Sequence, residues 1–282
     1  KVVNKIGGNN IILNRTIDSN FPNHHPDPTI PKNIMQISNY IKKNSFDLGI
    51  AFDGDGDRIG IIDNKGKLIY SDIIFLLLTL NLHKEKKNLT AIADVKCSKV
   101  IFDVLKKEKI NILMSKTGHS LIKEMIENKK ADIAGEMSGH IFYKYKYYGY
   151  DDAIYASLKL IKLVNLSNKN LNELVKPYIT SSSTPEIKLY CDEINKFNLI
   201  KDIIEKLNSI YKRAHIINID GIRVETDNFW FLIRASNTQN CLVFRLEHFE
   251  VNKFKSELNK IIKIFSCFDL DIKELINFNN TV

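Results

Sequence analysis

Up to about residue 180 the chain alternates between short apolar blocks and stretches whose apolar residues recur every third or fourth position. Ile34, Ile37, Tyr40 and Ile41 keep helical spacing over residues 33–44. Residues 48–52 form an apolar block that reads as a strand ending in a polar loop. Residues 59–62 leave that loop as a second strand, and 63–67 turn the chain into 68–70. Ser71 and Asp72 cap a helix predicted through Leu82. Strands over 90–95, 111–114 and 131–134 then alternate with helices over 99–107 and 120–127, which argues for a mostly parallel sheet covered by helices. A further strand is expected over 141–143. Asp151 and Asp152 suit the N-terminus of an amphipathic helix through Val164. Near the start, residues 10–14 are a strand candidate, and the three prolines of 21–28 exclude regular structure there.

The pattern changes after Pro177. The run Thr180-Ser181-Ser182-Ser183-Thr184-Pro185 reads as a linker and a domain boundary. Beyond it, a strand (186–190) and a helix (196–211) precede strands over 215–219, 222–225, 229–234 and 242–247. A final helix covers 252–265. Strands in hairpin succession with helices outside predict an antiparallel α+β domain. The fold class is therefore α/β, with mixed α/β sheet domains followed by that α+β domain.

Composition narrows the picture only slightly. At 282 residues, 44% hydrophobic and 26% charged, the chain is an ordinary globular protein with length for about two domains. Its net charge of +8 suits an anionic partner, yet the lysines and arginines are spread along the chain without a basic arm. Phosphorylated small molecules fit this as well as nucleic acid does, and no nucleic-acid partner is expected. Cys97, Cys191, Cys241 and Cys267 form no Cys-x-x-Cys pair, so a reducing, cytoplasmic location is the default. The most apolar run, 73–80, falls short of the ~20 residues that span a bilayer, and no signal peptide is visible.

The chemistry concentrates in Asp53-Gly54-Asp55-Gly56-Asp57-Arg58. Carboxylates at i, i+2 and i+4 face one way in an extended backbone and repel unless a cation neutralises them. Hard oxygen donors with no Cys or His beside them favour Mg²⁺ on Asp53, Asp55 and Asp57, and Arg58 offers a bidentate phosphate contact. The bland alternative is an acidic surface turn. Gly135-Glu136-Met137-Ser138-Gly139-His140 follows a strand, and its alternating Glu136, Ser138 and His140 can bind the hydroxyls of a sugar. Arg234-Ala235-Ser236-Asn237-Thr238 lies between two strands and reads either as a phosphate cradle or as a polar hairpin turn. Lys96 and His119 lie at C-terminal strand ends. Alone they read as a surface lysine and a helix-capping turn. The adjacent His24 and His25 lack a third ligand and read as part of a rigid loop.

The Asp loop resembles the metal-binding loop of the α-D-phosphohexomutases, the superfamily of phosphoglucomutase, phosphomannomutase and phosphoglucosamine mutase. Residues 134–152 are similar to the sugar-specificity region of its bacterial phosphomannomutase/phosphoglucomutase branch. The Arg-Ala-Ser-Asn-Thr run resembles its phosphate-binding loop, although Gln239-Asn240 follow where that branch usually carries a proline. The resemblance implies interconversion of a hexose 1-phosphate and a hexose 6-phosphate, of mannose or glucose, through a bisphosphorylated sugar. It implies Mg²⁺ on Asp53, Asp55 and Asp57, with Arg58 and His119 taking part in catalysis. Lys96, His119, Glu136, Ser138, His140, Arg234, Ser236, Asn237 and Thr238 would bind the substrate. It divides the chain into 1–68 with the metal loop, 69–179 with the sugar loop and 180–282 with the phosphate loop. The expected partner is a phosphorylated hexose and the expected state a monomer. The family's phosphoserine lies in a Thr-Ala-Ser-His-Asn-Pro type segment that these residues lack, so they are expected to be the C-terminal part of the enzyme and inactive alone. A non-catalytic phosphosugar-binding remnant is the alternative.

Overall fold

A computed structural model describes residues 2–5, 8–16, 18–237 and 239–282. The chain divides into two compact units, Lys1–Tyr178 and Ile179–Val282.

The first unit opens with α1 (Val2–Lys5) and α2 (Met35–Asn44), followed by a three-stranded antiparallel sheet of β1 (Leu48–Phe52), β2 (Ile59–Asp63) and β3 (Leu68–Ile69). The buried face of α2 packs Ile41 with Ile62 of β2. Then come α3 (Ser71–Glu85), β4 (Thr90–Asp94), α4 (Lys99–Lys107), β5 (Asn111–Ser115), α5 (His119–Lys129), β6 (Ile133–Gly135), β7 (Ile141–Tyr143), α6 (Ala153–Ser167) and α7 (Leu171–Val175). The second sheet has the order β5-β4-β6-β7, parallel except for the antiparallel pair β6/β7. Helix α3 is apolar on almost every side because it is covered on almost every side. It touches β2 of the first sheet, β6 of the second, and α4, α6 and α7. Its Phe75 ring fills the space above Gly135, where an added Cβ would come within 2.5 Å.

The second unit contains β8 (Ser182–Ser183), β9 (Ile187–Tyr190), α8 (Lys196–Ile210), β10 (His215–Ile217), β11 (Ile222–Glu225), β12 (Phe229–Ala235), β13 (Cys241–His248), α9 (Phe254–Phe265) and α10 (Lys273–Thr281). Strands β10 to β13 form an antiparallel meander, and β13 also pairs with β8 and β9. One sheet face packs Ile222, Val224, Phe231, Ile233, Leu242, Phe244 and Leu246 against Ile203 and Leu207 of α8 and Leu258 and Ile261 of α9.

Two expectations need correction. Residues 10–14 form no strand: Ile11 and Ile12 are consecutive and both exposed, so they have no buried face to alternate. The Ser/Thr run at 180–185 is not loose. Ser182 and Ser183 pair with His248 and Glu247, and Thr184 is fully buried. Among the described residues no helix is long and apolar enough to cross a membrane.

Candidate active site

The Asp loop closes the β1–β2 hairpin beyond the Phe52–Ile59 pair. Asp53 organises it. Its Oδ1 accepts the backbone N–H groups of Gly56, Asp57 and Arg58, each at 3.1 Å, and its Oδ2 accepts Arg58 Nε at 2.7 Å. Gly56 takes the positive φ of +78° that the turn requires. Burial opposes ionisation of Asp53, but the Arg58 side chain and the loop's donors outweigh it and hold its pKa below the usual carboxylate value. Asp57 is shifted the other way, first by burial and then by Asp53 and Asp55, with His140 offsetting part of the effect. One carboxylate oxygen from each of Asp53, Asp55 and Asp57 lies within 4.8 Å of the others. Hard donors at that separation, with Asp57 burdened by its neighbours' charge, fit a divalent cation. Of the three, Asp53 already has partners on both oxygens, the loop N–H groups on Oδ1 and Arg58 on Oδ2. Arg58 itself is held by Asp53 and, through Nη1 at 3.4 Å, by Asp27. Sequence reasoning aimed this arginine at phosphate. In the structure its guanidinium is paired with carboxylates.

The loop between β6 and β7 lies directly beside this hairpin. Arg58 and His140 form an antiparallel bridge, and Ile59 N–H donates to the Gly139 carbonyl at 3.1 Å. Glu136 is buried and accepts from Gly118 N–H at 2.9 Å and from His140 Nδ1 at 2.9 Å, while Ser138 Oγ lies 3.0 Å from the same nitrogen. His140 Nε2 is 3.5 Å from Asp57 Oδ2. Burial alone would lower the His140 pKa, but Glu136, and after it Asp57 and Asp151, raise it. Burial pushes the Glu136 pKa up, and the imidazole beside it, with the Gly118 N–H and Lys96, brings it below the ordinary value. The imidazole thus bridges the metal-loop and sugar-loop carboxylates.

His119 begins α5 and stacks on His140, with ring centroids 5.8 Å apart. Its Nδ1 is 3.2 Å from Asp151 Oδ2, and Lys123 Nζ is 3.2 Å from Asp151 Oδ1. Asp57, His119 and Asp151 also bring one ligand atom each within 4.8 Å. Lys96 follows β4 with its Nζ 3.9 Å from Asp94 Oδ2, and its charge acts on Glu136. The first unit therefore brings together Asp53, Asp55, Asp57, Arg58, Lys96, His119, Glu136, Ser138 and His140. Sequence reasoning missed Asp27, Lys123 and the role of Asp151 at this site. Asp27 sits in the proline-rich stretch, and Asp151 reads in the sequence as a helix-start acid at the end of the 134–152 region, with no role of its own at the site.

Within the second unit, Arg234 of β12 is buried, and its Nε donates to Asp220 Oδ2 at 2.8 Å. Ser236 N–H donates to the Cys241 carbonyl at 3.0 Å, and Ser236 Oγ accepts Gln239 N–H at 3.2 Å, while Asn237 is exposed. Thr238 lies outside the described residues. The preceding turn approaches this strand closely: a Cβ on Gly221 would lie 2.2 Å from the Ile233 carbonyl oxygen.

Two family profiles match the chain. The phosphoglucomutase/phosphomannomutase alpha/beta/alpha domain II profile matches residues 1–66, and the domain III profile matches residues 70–181. A phosphomannomutase/phosphoglucomutase of Pseudomonas syringae pv. tomato is 37% identical over 94% of this chain and 56% of its own length. A phosphoglucomutase of Neisseria meningitidis serogroup A is 37% identical over 82% of this chain and 50% of its own. The crystal structure of a phosphoglucomutase/phosphomannomutase family protein from Burkholderia thailandensis superposes with a TM-score of 0.86 at 32% identity, over 95% of this chain and 58% of that one. The chain spans about half the length of the curated relatives it matches.

Proposed function

Because the chain belongs to the phosphoglucomutase/phosphomannomutase family of the α-D-phosphohexomutase superfamily, we propose that it carries the metal, sugar and phosphate sites of an enzyme that interconverts hexose 1-phosphate and hexose 6-phosphate. The observation that carries this reading is the Arg58–His140 bridge, which sets the acidic loop beside Glu136, Ser138 and the two imidazoles. Its substrates are glucose or mannose phosphates and the 1,6-bisphosphate. Residues 1–68, 69–179 and 180–282 serve as its metal-loop, sugar-loop and phosphate-loop portions.

Asp53, Asp55 and Asp57 would hold Mg²⁺, with Asp53 also paired with Arg58. Bound there, the ion supplies neutralisation of phosphoryl charge. Arg58 exchanges carboxylate partners for phosphoryl oxygens as they arrive. Glu136 accepts from sugar hydroxyls, Ser138 donates or accepts, and Lys96 adds positive charge beside them. Asp151 fixes the Nδ1 edge of His119, leaving Nε2 to take or release a hydroxyl proton. Arg234, Ser236, Asn237 and Thr238 grip the phosphate that is not reacting. The donor is a phosphoserine from a Thr-Ala-Ser-His-Asn-Pro type segment, which these residues do not contain.

The test is turnover of glucose 1-phosphate and mannose 1-phosphate, primed with glucose 1,6-bisphosphate, by these residues together with a phosphoserine-bearing domain. Glu136→Ala is expected to reduce kcat/KM at least about 100-fold, the scale of losing one charge-positioning group at a reacting centre. Unchanged turnover in that variant would overturn the assignment. Bisphosphate binding without turnover would identify a phosphosugar-binding protein instead.

A further inference from the structure

Lys196, the first residue of α8, sends its side chain across to the connection between β12 and β13. It is 5% exposed, and its Nζ donates to the carbonyl oxygens of Ser236 at 2.9 Å and Gln239 at 3.1 Å. Burying an ammonium group is costly unless donors and acceptors are matched, and here the acceptors come from the backbone of the loop that carries Ser236 and Asn237. Gln239 N–H is also tied to Ser236 Oγ, so the two residues holding the lysine are cross-linked to each other.

The consequence follows from peptide geometry. In a planar trans peptide the carbonyl oxygen of one residue and the N–H of the next point in opposite directions. With the Ser236 carbonyl turned onto the ammonium, the Asn237 N–H points the opposite way, away from Lys196 Nζ. No proline lies between Arg234 and Cys241 to stiffen this turn, so the lysine joins the Ser236 N–H to Cys241 and Gln239 N–H to Ser236 Oγ bonds in fixing the loop, and it alone of these grips the Ser236 carbonyl. The ammonium also places a buried positive charge against the loop backbone.

We propose that Lys196 is the positioning residue of the phosphate-binding loop: it holds the Ser236–Asn237 peptide with its N–H toward the bound phosphate. This rests on reading the Arg234–Asn237 stretch as a phosphate site. The test is titration of the full 282-residue chain with inorganic phosphate, followed by the amide resonances of Ser236, Asn237 and Gln239. Phosphate is expected to shift the Asn237 amide in the wild type. In Lys196→Met, with unchanged far-ultraviolet circular dichroism, the affinity at the loop is expected to fall about tenfold, and in Lys196→Arg to recover to within about threefold of wild type. If the methionine variant does not fold, Lys196→Gln takes its place in the same titration. A wild type whose Asn237 amide ignores phosphate would overturn the phosphate-site reading, and this proposal with it. A wild type that binds, beside a folded neutral variant that binds equally well, would overturn the role of Lys196 alone.

Discussion

A Cβ on Gly139 would lie 2.8 Å from the Ile59 carbonyl oxygen, at a φ of +109° that L-residues rarely adopt. Gly139→Ala is therefore expected to cost about 2 kcal/mol or more, read as a lower denaturation midpoint with unchanged m-value. Asp53 has a comparable structural duty, because its removal leaves three loop N–H groups without their acceptor. Asp53→Ala should destabilise the chain by about 2 kcal/mol even in a chelator, whereas Asp55→Ala should leave chelated stability unchanged. Mg²⁺ is expected to bind weakly, since both Asp53 oxygens are already engaged by loop N–H groups and Arg58. Submicromolar affinity by calorimetry would contradict this.

Asp151 gives a test in acid. Its own burial works against ionisation, but its backbone and Lys123 hold its pKa below the ordinary aspartate value of 3.8. A carboxyl lowered on folding contributes stability that is complete above the unfolded pKa and is lost as pH falls through the folded one. The contribution should therefore vanish in a window below about pH 3.8. Lys123→Met should raise the Asp151 titration midpoint, as followed by carboxyl-carbon chemical shifts. At this scale the sequence was legible where chemistry is local. The i, i+2, i+4 carboxylates and the Glu136–His140 run can be read directly. The engagement of Arg58 by Asp27 cannot, because it depends on where a proline-rich stretch comes to rest.

Elements with a single buried stripe were legible from their spacing, as α2, α4, α8 and α9 show. Those missed had weaker signals. Helix α10 is largely polar, with only Leu275 buried, and β8 is a two-residue edge strand of serines whose pairing partner is distant in sequence. Among the caps, Asp152 has the clearest effect: its carboxylate accepts Tyr155 N–H at 2.8 Å and the Tyr147 hydroxyl at 2.6 Å. Asp152→Ala is expected to cost about 1 kcal/mol through the cap, measurable as reduced hydrogen-exchange protection in the first turn of α6.

For the whole molecule, the alternation of strand and helix identified an α/β chain with an antiparallel final portion, and the resemblance supplied the order of the loops. Periodicity along one segment carries no information about pairing between segments. It could not show that the first antiparallel sheet and the later, mostly parallel one share helix α3 and belong to one compact unit. Turnover belongs to this scale as well. The 282 residues alone are expected to show no mutase activity with glucose 1-phosphate and glucose 1,6-bisphosphate, because no candidate phosphoserine segment is present. Turnover by these residues alone would contradict the donor assignment.

The bridge between Arg58 and His140, with α3 packed against both sheets, bears on how the chain could be cut. The two family profiles meet between residues 66 and 70, yet the backbone pairing and the apolar surface of α3 cross that point. A protease nick introduced between Gly66 and Ser71 should not release two proteins. The fragments should elute together on size exclusion and separate only in denaturant, so the boundary drawn in sequence is not a line along which the folded molecule divides.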